Sequence, residues 1–126
     1  MVRAAAKNYK DVTVITNISQ YESLINNINQ NRGATSLEFR KKAALEAFGE
    51  TAYYESLIYK YFRNLNSNEF PSKFTVGFNL IEKLRYGENP HQQGAVYSAS
   101  KNLNLDKLNG KQLSYNNYND IFSALT

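Results

Sequence analysis

The 126-residue sequence has no cysteine, no tryptophan and a single histidine. Without cysteine the chain can form neither disulfides nor thiolate-ligated zinc sites, and this composition suits a reducing compartment. It also lacks the run of about 18 apolar residues that a membrane-spanning helix needs, and its N-terminus has no apolar signal segment. The sequence therefore predicts a cytoplasmic protein that neither crosses nor enters a membrane.

The residues that are present allow a modest core and a mild positive charge. Apolar residues make up 42% of the chain, and 10 Tyr and 7 Phe residues can fill a core that has no tryptophan. The 15 Lys and Arg residues exceed the 11 Asp and Glu residues, which gives a formal net charge of +4. An excess of this size is compatible with phosphorylated small molecules, with nucleic acid, or with no specific ligand.

The first part of the chain has the pattern of a layered α/β domain. Residues 3–9 contain three alanines and predict the end of a helix. Residues 11–16 are rich in β-branched side chains and predict a short, buried, parallel strand. Helical patterns follow this strand, and that order is typical of an α/β layer.

Two helical regions follow the predicted strand. The first begins with the capping-box spacing from Ser19 to Glu22 and ends near Gly33, a suitable residue for a helix C-terminus. The second spans residues 36–63, where apolar residues recur at helical spacing. Gly49 lies in its middle, so we expect a break there and two separate helices.

The second part of the chain begins with a change of character. Residues 64–72 have no periodicity and many turn formers, which predicts a linker. Residues 73–80 and 93–98 alternate in polarity and predict strands, with a loop at residues 85–91 between them. Residues 116–125 predict a helix.

The loop at residues 84–92 concentrates functional groups. It contains Arg85, Tyr86 and the only histidine, His91, among Gly and Pro residues. An arginine fork can bond two phosphate oxygens, a tyrosine can stack on a planar heterocycle, and a histidine can exchange a proton near neutral pH. The same residues are also compatible with a solvated polar loop whose Arg85 pairs with Glu88, and the residues alone leave both interpretations open.

Two other segments carry weaker signals. Residues 111–120 are rich in Asn and Gln, whose amides can read the edge of a carboxamide or purine-like ring but also form turns and N-caps. Residues 3–8 place Lys7 on an alanine-rich helix, where its amine could orient or protonate an oxyanion. A solvated lysine on such a helix is the plainer interpretation, and it too stays open.

Taken together, the three segments resemble ordered signatures of the bifunctional AICAR transformylase/IMP cyclohydrolase family. Residues 84–92 resemble the signature that opens the transformylase domain, and residues 111–120 resemble the Lys-x-Leu-Ser-Tyr-Asn-Asn-x-x-Asp signature that follows it in bacteria. Residues 1–8 resemble the Arg-Ala-Ala-Ala-Lys-Asn segment of the cyclohydrolase domain. Residues 42–48 and 51–54 resemble the helix pair that closes that domain. The order and the spacing match over essentially the whole chain.

The resemblance implies an α/β fold in two parts. Residues 1–65 would be the C-terminal part of a methylglyoxal-synthase-like IMP cyclohydrolase domain. Residues 66–126 would be the start of a cytidine-deaminase-like AICAR transformylase domain. We therefore expect an internal fragment of the bifunctional enzyme, as the helix-like segments at both ends of the sequence also indicate.

The resemblance also assigns site residues and ligands. Lys7 would be a cyclohydrolase active-site lysine, and His91 would belong to the transformylase site. Arg85 would bind the phosphate of AICAR, Tyr86 would contact the same nucleotide, and Asn117 would bind its base or carboxamide. In the family the formyl donor is 10-formyltetrahydrofolate, FAICAR and IMP are the later ligands, and the enzyme is a homodimer. The resemblance implies no metal.

The sequence departs from the family in what it lacks. The glycine-rich start of the cyclohydrolase domain is missing, and so is the Lys-His pair that the transformylase uses in formyl transfer. We therefore expect the chain by itself to catalyse neither reaction. The alternatives are a nucleic-acid-binding module, from the positive charge and the many tyrosines, and a non-catalytic interaction or dimerisation segment, from the long apolar helical region.

Overall fold

The computed structural model describes residues 1–66, 70–100, 103 and 105–125. The chain divides into two compact units, Met1–Gly77 and Phe78–Thr126. The linker predicted at residues 64–72 includes positions outside the described residues. Because the first unit is helical and the second contains a small sheet, the chain is a mixed α/β protein.

Four helices and two strands make up the described structure, together with a short 3₁₀ turn at Ile18–Gln20 that leads into α2. The elements are α1 (Val2–Lys7), α2 (Tyr21–Gln30), α3 (Leu37–Asn66), β1 (Asn79–Lys83), β2 (Ala95–Ser98) and α4 (Tyr115–Leu125). None of the helices in the part that the structure describes is both long and apolar enough to cross a membrane.

The core of the first unit consists mainly of small side chains between α1 and α3. Ala6 and Ala47 are fully buried, and Ala44 and Val14 complete the cluster. Phe48 packs against this cluster as a partly buried residue. Because alanine methyl groups occupy little space, the backbones of the two helices can approach closely, and the predicted helix at residues 3–9 is confirmed.

The strand predicted at residues 11–16 is wrong. These residues form no strand with any segment that the structure describes. Val14 is buried in the alanine cluster, so the β-branched side chains that suggested a strand pack against helices. A strand requires a hydrogen-bonded partner strand, whereas burial alone selects the same residue types.

The 3₁₀ turn that leads into α2 has a capping box, two residues earlier than predicted. The Asn17 side chain accepts from the Ser19 backbone N–H at 2.9 Å, and the Gln20 side chain accepts from the Asn17 N–H at 2.9 Å. Gln20 is buried, and its Nε2 donates to Glu46 of α3 at 2.5 Å. The predicted capping box of Ser19 and Glu22 is therefore wrong. Gln20 takes the role expected of Glu22, because its amide can accept from the backbone and also donate to the Glu46 carboxylate.

The C-terminus of α2 lies where the sequence predicted it. Arg32 has a φ of 55°, and Gly33 has a φ of 89°. The Gly33 N–H donates to the Ile28 carbonyl at 2.9 Å, which closes a Schellman-type turn. Arg32 is the first residue after the C-cap Asn31, and Gly33 is the second. A glycine usually occupies the first of these two positions, so the helix ends one residue further from Gly33 than that rule predicts.

Helix α3 is continuous, so the break predicted at Gly49 is wrong. A glycine costs a helix only about 1 kcal/mol relative to alanine, and the residues around it are mostly good helix formers. Apart from the helix's own nearby backbone and the two chain neighbours of Gly49, no atom of the described residues lies within 4 Å of the position that a Gly49 Cβ would occupy, so nothing packs there that would require a kink. Ser36 begins the helix by accepting from the Phe39 N–H at 3.1 Å.

The Arg40 side chain ties the connection after α1 to the start of α3. Its Nε donates to the Tyr9 carbonyl at 3.0 Å, and its Nη2 donates to the Lys10 carbonyl at 2.7 Å. Its Nη1 donates to the carbonyl of Thr35. A guanidinium offers five donors, so one side chain satisfies three carbonyls that no helix or strand pairs.

The second unit is an antiparallel hairpin followed by α4. Asn79 pairs with Ser98 and Lys83 pairs with Ala95, and the register shifts by one residue between Leu80 and Glu82. The strand at residues 93–98 is confirmed as β2, and the helix predicted at residues 116–125 is confirmed as α4. The strand predicted at residues 73–80 is wrong for residues 73–78, because β1 extends only as far as its pairing with β2, over Asn79–Lys83.

Candidate functional site

The loop between β1 and β2 is closed by main-chain bonds around Gly87. The Gly87 N–H donates to the Gln92 carbonyl at 2.7 Å, and the Leu84 N–H donates to the Gly94 carbonyl at 2.9 Å. A Cβ on Gly87 would lie 3.0 Å from the Gln92 Cβ and 3.1 Å from the Gln93 carbonyl oxygen. The loop that carries Arg85, Tyr86 and His91 in the sequence therefore depends on a residue without a side chain.

Two main-chain hydrogen bonds join this loop to the start of α4. The Arg85 N–H donates to the Leu113 carbonyl at 3.0 Å, and the Tyr115 N–H donates to the Tyr86 carbonyl at 3.2 Å. Side chains add to this contact, since the Asn116 amide donates to the Glu88 carbonyl at 3.4 Å. The structure thus brings together two segments that the sequence analysis selected separately.

The Arg85 and Tyr86 side chains contact each other. The Arg85 guanidinium carbon lies 4.7 Å from the centroid of the Tyr86 ring, and Nη2 donates to the Tyr86 hydroxyl at 3.0 Å. A hydrogen bond with Ser114, followed by the hydrogen bond and the positive charge of Arg85, lowers the pKa of Tyr86 below its ordinary value. In the part of the chain that the structure describes, Arg85 forms no ion pair with Glu88, the partner of the alternative interpretation.

Ser114 precedes α4 and holds the Asn117 side chain. The Ser114 N–H and the Ser114 Oγ–H both donate to Asn117 Oδ1, each at 3.0 Å. This pair forms half of a capping box, in which the third helical residue reaches back to the N-cap. Ser114 is only 1% exposed, so its geometry is set by its surroundings.

A cleft beside the N-terminus of α4, here named the α4 cleft, has a volume of about 480 Å³. Its charged side chains come from Arg85, Lys111 and Asp120, and its side-chain amides come from Asn109, Gln112 and Asn117. The remaining lining residues are Gly110, Leu113 and Ile121. Two cations against one carboxylate, next to amides, can bind an anionic and hydrogen-bonding small molecule.

A second cleft, here named the hairpin cleft, has a volume of about 650 Å³ and lies against β1 and β2. His91 and Lys83 line it, and Arg85 lines both clefts. His91 is exposed, so its ring is accessible to solvent and to a ligand in the cleft. The Arg85 guanidinium is therefore the group that the two clefts share.

Lys7 belongs to the first unit. It is exposed in the last turn of α1, next to the buried Ala6. The structure therefore brings Arg85, Tyr86 and Asn117 together and places His91 on the neighbouring cleft, while Lys7 lies in a different unit.

Sequence reasoning missed Lys111, which lines the α4 cleft, and Ser114, which bonds to Asn117. Lys111 was recognised only as part of a segment, and Ser114 was not singled out. The spacing from Ser114 to Asn117 is a signal for a capped helix start, and it could have identified the serine.

The comparisons with known proteins agree on one family. The sequence profile of the AICARFT/IMPCHase bienzyme matches residues 5–126. The bifunctional purine biosynthesis protein PurH of Clostridioides difficile (strain 630) is 44% identical over 129 residues, covering 99% of this chain and 25% of the relative. PurH of Rippkaea orientalis is 44% identical over 131 residues, covering 98% of this chain and 25% of the relative.

A third relative gives the same result from another bacterium. PurH of Persephonella marina is 44% identical over 133 residues, covering 99% of this chain and 26% of the relative. The chain thus spans about a quarter of the length of these curated relatives. Because the profile match extends over nearly all of its residues, the chain belongs to the AICARFT/IMPCHase bienzyme family.

Proposed function

We propose that this chain is a segment of a bifunctional purine biosynthesis enzyme and carries part of its AICAR-binding site. The complete enzyme would transfer a formyl group from 10-formyltetrahydrofolate to AICAR and then close FAICAR to IMP. The family membership and the PurH relatives support this assignment. We further propose that the complete enzyme is a cytoplasmic homodimer with small-molecule ligands and no nucleic-acid or membrane partner.

The observation that carries the proposal is the composition of the α4 cleft. Arg85 and Lys111 supply positive charge, and Asn117 supplies an amide within the same cleft. AICAR is a phosphorylated nucleotide with a carboxamide, so it offers an anion for the cations and a hydrogen-bonding edge for the amide. Arginine suits the phosphate because its fork bonds two oxygens at once.

In this proposal Arg85 exchanges partners when the nucleotide binds. Its guanidinium now donates to the neutral hydroxyl of Tyr86. A bond to a phosphate oxygen is assisted by charge and is roughly twice as strong as a bond between neutral groups. The guanidinium would therefore turn to the phosphate, and the ring of Tyr86 would become available to pack against the nucleotide.

The remaining assignments follow from the family. His91 would exchange a proton in the transformylase site, and Lys7 would act in the cyclohydrolase site by orienting or protonating an oxyanion. Residues 1–65 would be the C-terminal part of the methylglyoxal-synthase-like cyclohydrolase domain. Residues 66–126 would be the start of the cytidine-deaminase-like transformylase domain.

Calorimetric titration of the 126-residue chain with AICAR tests the proposal. We expect binding that the Arg85→Ala variant weakens by about tenfold or more, since a charge-assisted bond is lost. The Lys107→Ala variant is the matched control, because it removes an exposed cation outside both clefts. Added 10-formyltetrahydrofolate should give no formyl transfer by this chain alone.

Two results would contradict different parts of this proposal. Equal AICAR affinity of the wild-type chain and Arg85→Ala would remove the phosphate role of Arg85. Absence of AICAR binding, together with salt-sensitive binding to a single-stranded oligonucleotide, would favour the nucleic-acid module.

A second candidate function, an interaction or dimerisation segment, is favoured by α3. Several large apolar side chains on this helix are exposed, among them Leu45 at 72%, Tyr54 at 64% and Tyr61 at 62%. A second copy of the chain could cover them. Sedimentation and melting over a hundredfold range of concentration would then show association and a rising midpoint, whereas a constant midpoint would contradict it.

A further inference from the structure

The oxygen of the Asn117 side chain is already bonded within the protein. Its Oδ1 accepts from the Ser114 N–H and from the Ser114 Oγ–H, both at 3.0 Å. An amide oxygen has two lone pairs, so these two bonds fill its accepting capacity. The Nδ2 amino group, which can only donate, is the part of the side chain left to address a ligand in the α4 cleft.

Ser114 is well placed to fix this arrangement. It is 1% exposed, and its carbonyl accepts from the Tyr118 N–H at 3.2 Å as the first turn of α4 forms. The backbone of Ser114 is therefore held by the helix, and its N–H and Oγ–H converge on one acceptor. A flipped Asn117 amide would place its amino group against the Ser114 N–H, which cannot accept, and that bond would be lost.

We infer that Ser114 is a positioning residue that orients the Asn117 amide so that Asn117 acts only as a hydrogen-bond donor in the α4 cleft. Asn117 then recognises an acceptor atom of the ligand and discriminates against a donor at the same place. This inference rests on the proposed function for the identity of the ligand. In AICAR the acceptors are the carboxamide oxygen and the unsubstituted ring nitrogen, and the amino groups are donors.

Tyr86 competes for the proton of the same hydroxyl. A hydrogen bond with Ser114 contributes to lowering the pKa of Tyr86. The Ser114 hydroxyl has one proton, so it can donate to only one acceptor at a time. In the structure Ser114 Oγ donates to Asn117 Oδ1, and ionisation of Tyr86 would draw this proton towards the phenolate.

The Asn117→Asp variant separates the donor from the cap. The aspartate keeps an oxygen facing Ser114, and a carboxylate in the first turn of a helix is favourable. The substitution replaces the Nδ2 donor with an anionic oxygen and leaves the cap in place, so α4 should remain folded. We expect calorimetry to show AICAR affinity about tenfold lower or worse than that of the wild-type chain.

Ligand analogues test the direction of the hydrogen bond. An analogue with a carboxylate in place of the carboxamide presents acceptors only, and the wild-type chain should bind it at least as tightly as AICAR. An analogue with an amidine presents donors only, and it should bind about tenfold more weakly or worse. Tighter binding of the amidine than of the carboxylate would overturn the inference.

Ser114 variants test the positioning role. Ser114→Thr keeps the hydroxyl and should retain AICAR affinity, whereas Ser114→Ala should lose several-fold, about fivefold. Ser36→Ala is the matched control, because Ser36 caps α3 through the Phe39 N–H in the other unit. Equal AICAR affinity of Ser114→Ala and the wild-type chain would overturn the role of Ser114.

An NMR measurement without ligand tests the positioning role of Ser114 separately from the proposed binding of AICAR. In ¹⁵N NMR spectra, the Asn117 amino resonances should be dispersed in the wild-type chain and in Ser114→Thr. They should shift and lose dispersion in Ser114→Ala, which keeps the main-chain N–H bond to Asn117 Oδ1 but loses the Oγ–H bond, and Ser36→Ala should leave them in place. If the wild-type chain fails to bind AICAR, the proposed function fails, while unchanged Asn117 resonances in Ser114→Ala would refute the positioning itself.

Discussion

Different interactions stabilise the interior of each of the two units. In Met1–Gly77 the buried apolar residues are alanines and one valine between two helices, and Arg40 binds backbone carbonyls with its side chain. In Phe78–Thr126 the only buried apolar side chain of the described residues is Tyr118. There the backbone itself makes the connections, through Arg85 with Leu113 and Tyr86 with Tyr115.

Side-chain packing therefore determines the stability of the first unit, whereas main-chain hydrogen bonds determine the positions of the site residues in the second. The first unit depends on close packing, where a change of a few carbon atoms affects the whole cluster. The second unit buries little apolar surface, and a two-stranded hairpin is marginal without further packing. Its main-chain bonds, however, define where Arg85 and Asn117 lie. Substitutions in the two units should therefore differ in both size and type of effect.

Enlarging Ala6 should have the largest effect. Ala6 is fully buried between α1 and α3, so Ala6→Leu overpacks the cluster and should destabilise the first unit by about 3 kcal/mol. Urea unfolding followed by circular dichroism measures the change. Ala4→Leu, an exposed position of the same helix, should change the midpoint little. A shared midpoint for the two variants would show that the alanine cluster is not closely packed.

Removing the Arg40 guanidinium should come next. Arg40→Ala leaves the carbonyls of Tyr9, Lys10 and Thr35 without this donor and should cost about 2 kcal/mol of unfolding free energy. The exposed neighbour Lys41→Ala should stay within about 0.5 kcal/mol of the wild-type chain in the same urea titration. If both variants behave alike, the side chain of Arg40 does not stabilise the connection after α1.

The same substitution at two glycines should have opposite signs in the two units. Gly87→Ala brings a Cβ to 3.0 Å from Gln92 Cβ and should destabilise the second unit by about 1.5 kcal/mol. Gly49→Ala meets no atom within 4 Å in α3 and should stabilise the first unit by about 0.5–1 kcal/mol. NMR-detected denaturation resolves the units. A stabilising Gly87→Ala would show that the loop tolerates a side chain.

The smallest effect should come from one hydroxyl in the second unit. Tyr118 donates to Glu82 Oε2 at 2.8 Å, so Tyr118→Phe should cost about 1 kcal/mol at neutral pH. Burial, and then the bond and charge of Glu82, raise the pKa of Tyr118 from 10.0 to about 12. The folded state therefore keeps this proton while the unfolded state loses it, and stability falls as the pH rises from 10 to 12.

The matched pair makes the pH effect visible. Both chains contain the same other tyrosines and lysines, so the difference in unfolding free energy between Tyr118→Phe and the wild-type chain isolates this phenol. The difference should be largest below pH 10 and shrink towards pH 12. A constant difference over that range would contradict the raised pKa of Tyr118.

Local signals identified most of the helices, whereas among the predicted strands only the one at residues 93–98 is confirmed. The alanines of α1, the apolar spacing of α2 and the residues of α4 act within one segment, so the sequence alone indicated each of these helices. The strand at residues 11–16 was wrong because a strand depends on a partner that the segment itself does not reveal. The break predicted at Gly49 was wrong for another reason. A single residue of low helix propensity does not interrupt a 30-residue helix.

The candidate site was predictable from motifs, whereas its construction was not. Arg85, Tyr86 and Asn117 were identified through the family resemblance, and their roles remain predictions. Ser114 became visible only in the structure, because its importance lies in which atom of Asn117 it contacts. The sequence could not show that Arg85 contacts Tyr86 instead of Glu88, since both partners lie within reach of a flexible side chain.

The register shift in β1 has a consequence for changes in chain length. A strand alternates its side chains between two faces, and the extra residue between Leu80 and Glu82 interrupts that alternation. Leu80 is exposed, whereas Glu82 is half-buried and reaches Tyr118. Deleting Ile81 would remove the irregularity and leave Glu82 opposite Val96, whereas a deletion after Glu82 would turn the residues that follow to the other face. Single substitutions in β1 can be tolerated, because they leave the register unchanged. A deletion or insertion after Glu82 would instead move every following side chain to the opposite face, up to and including Arg85.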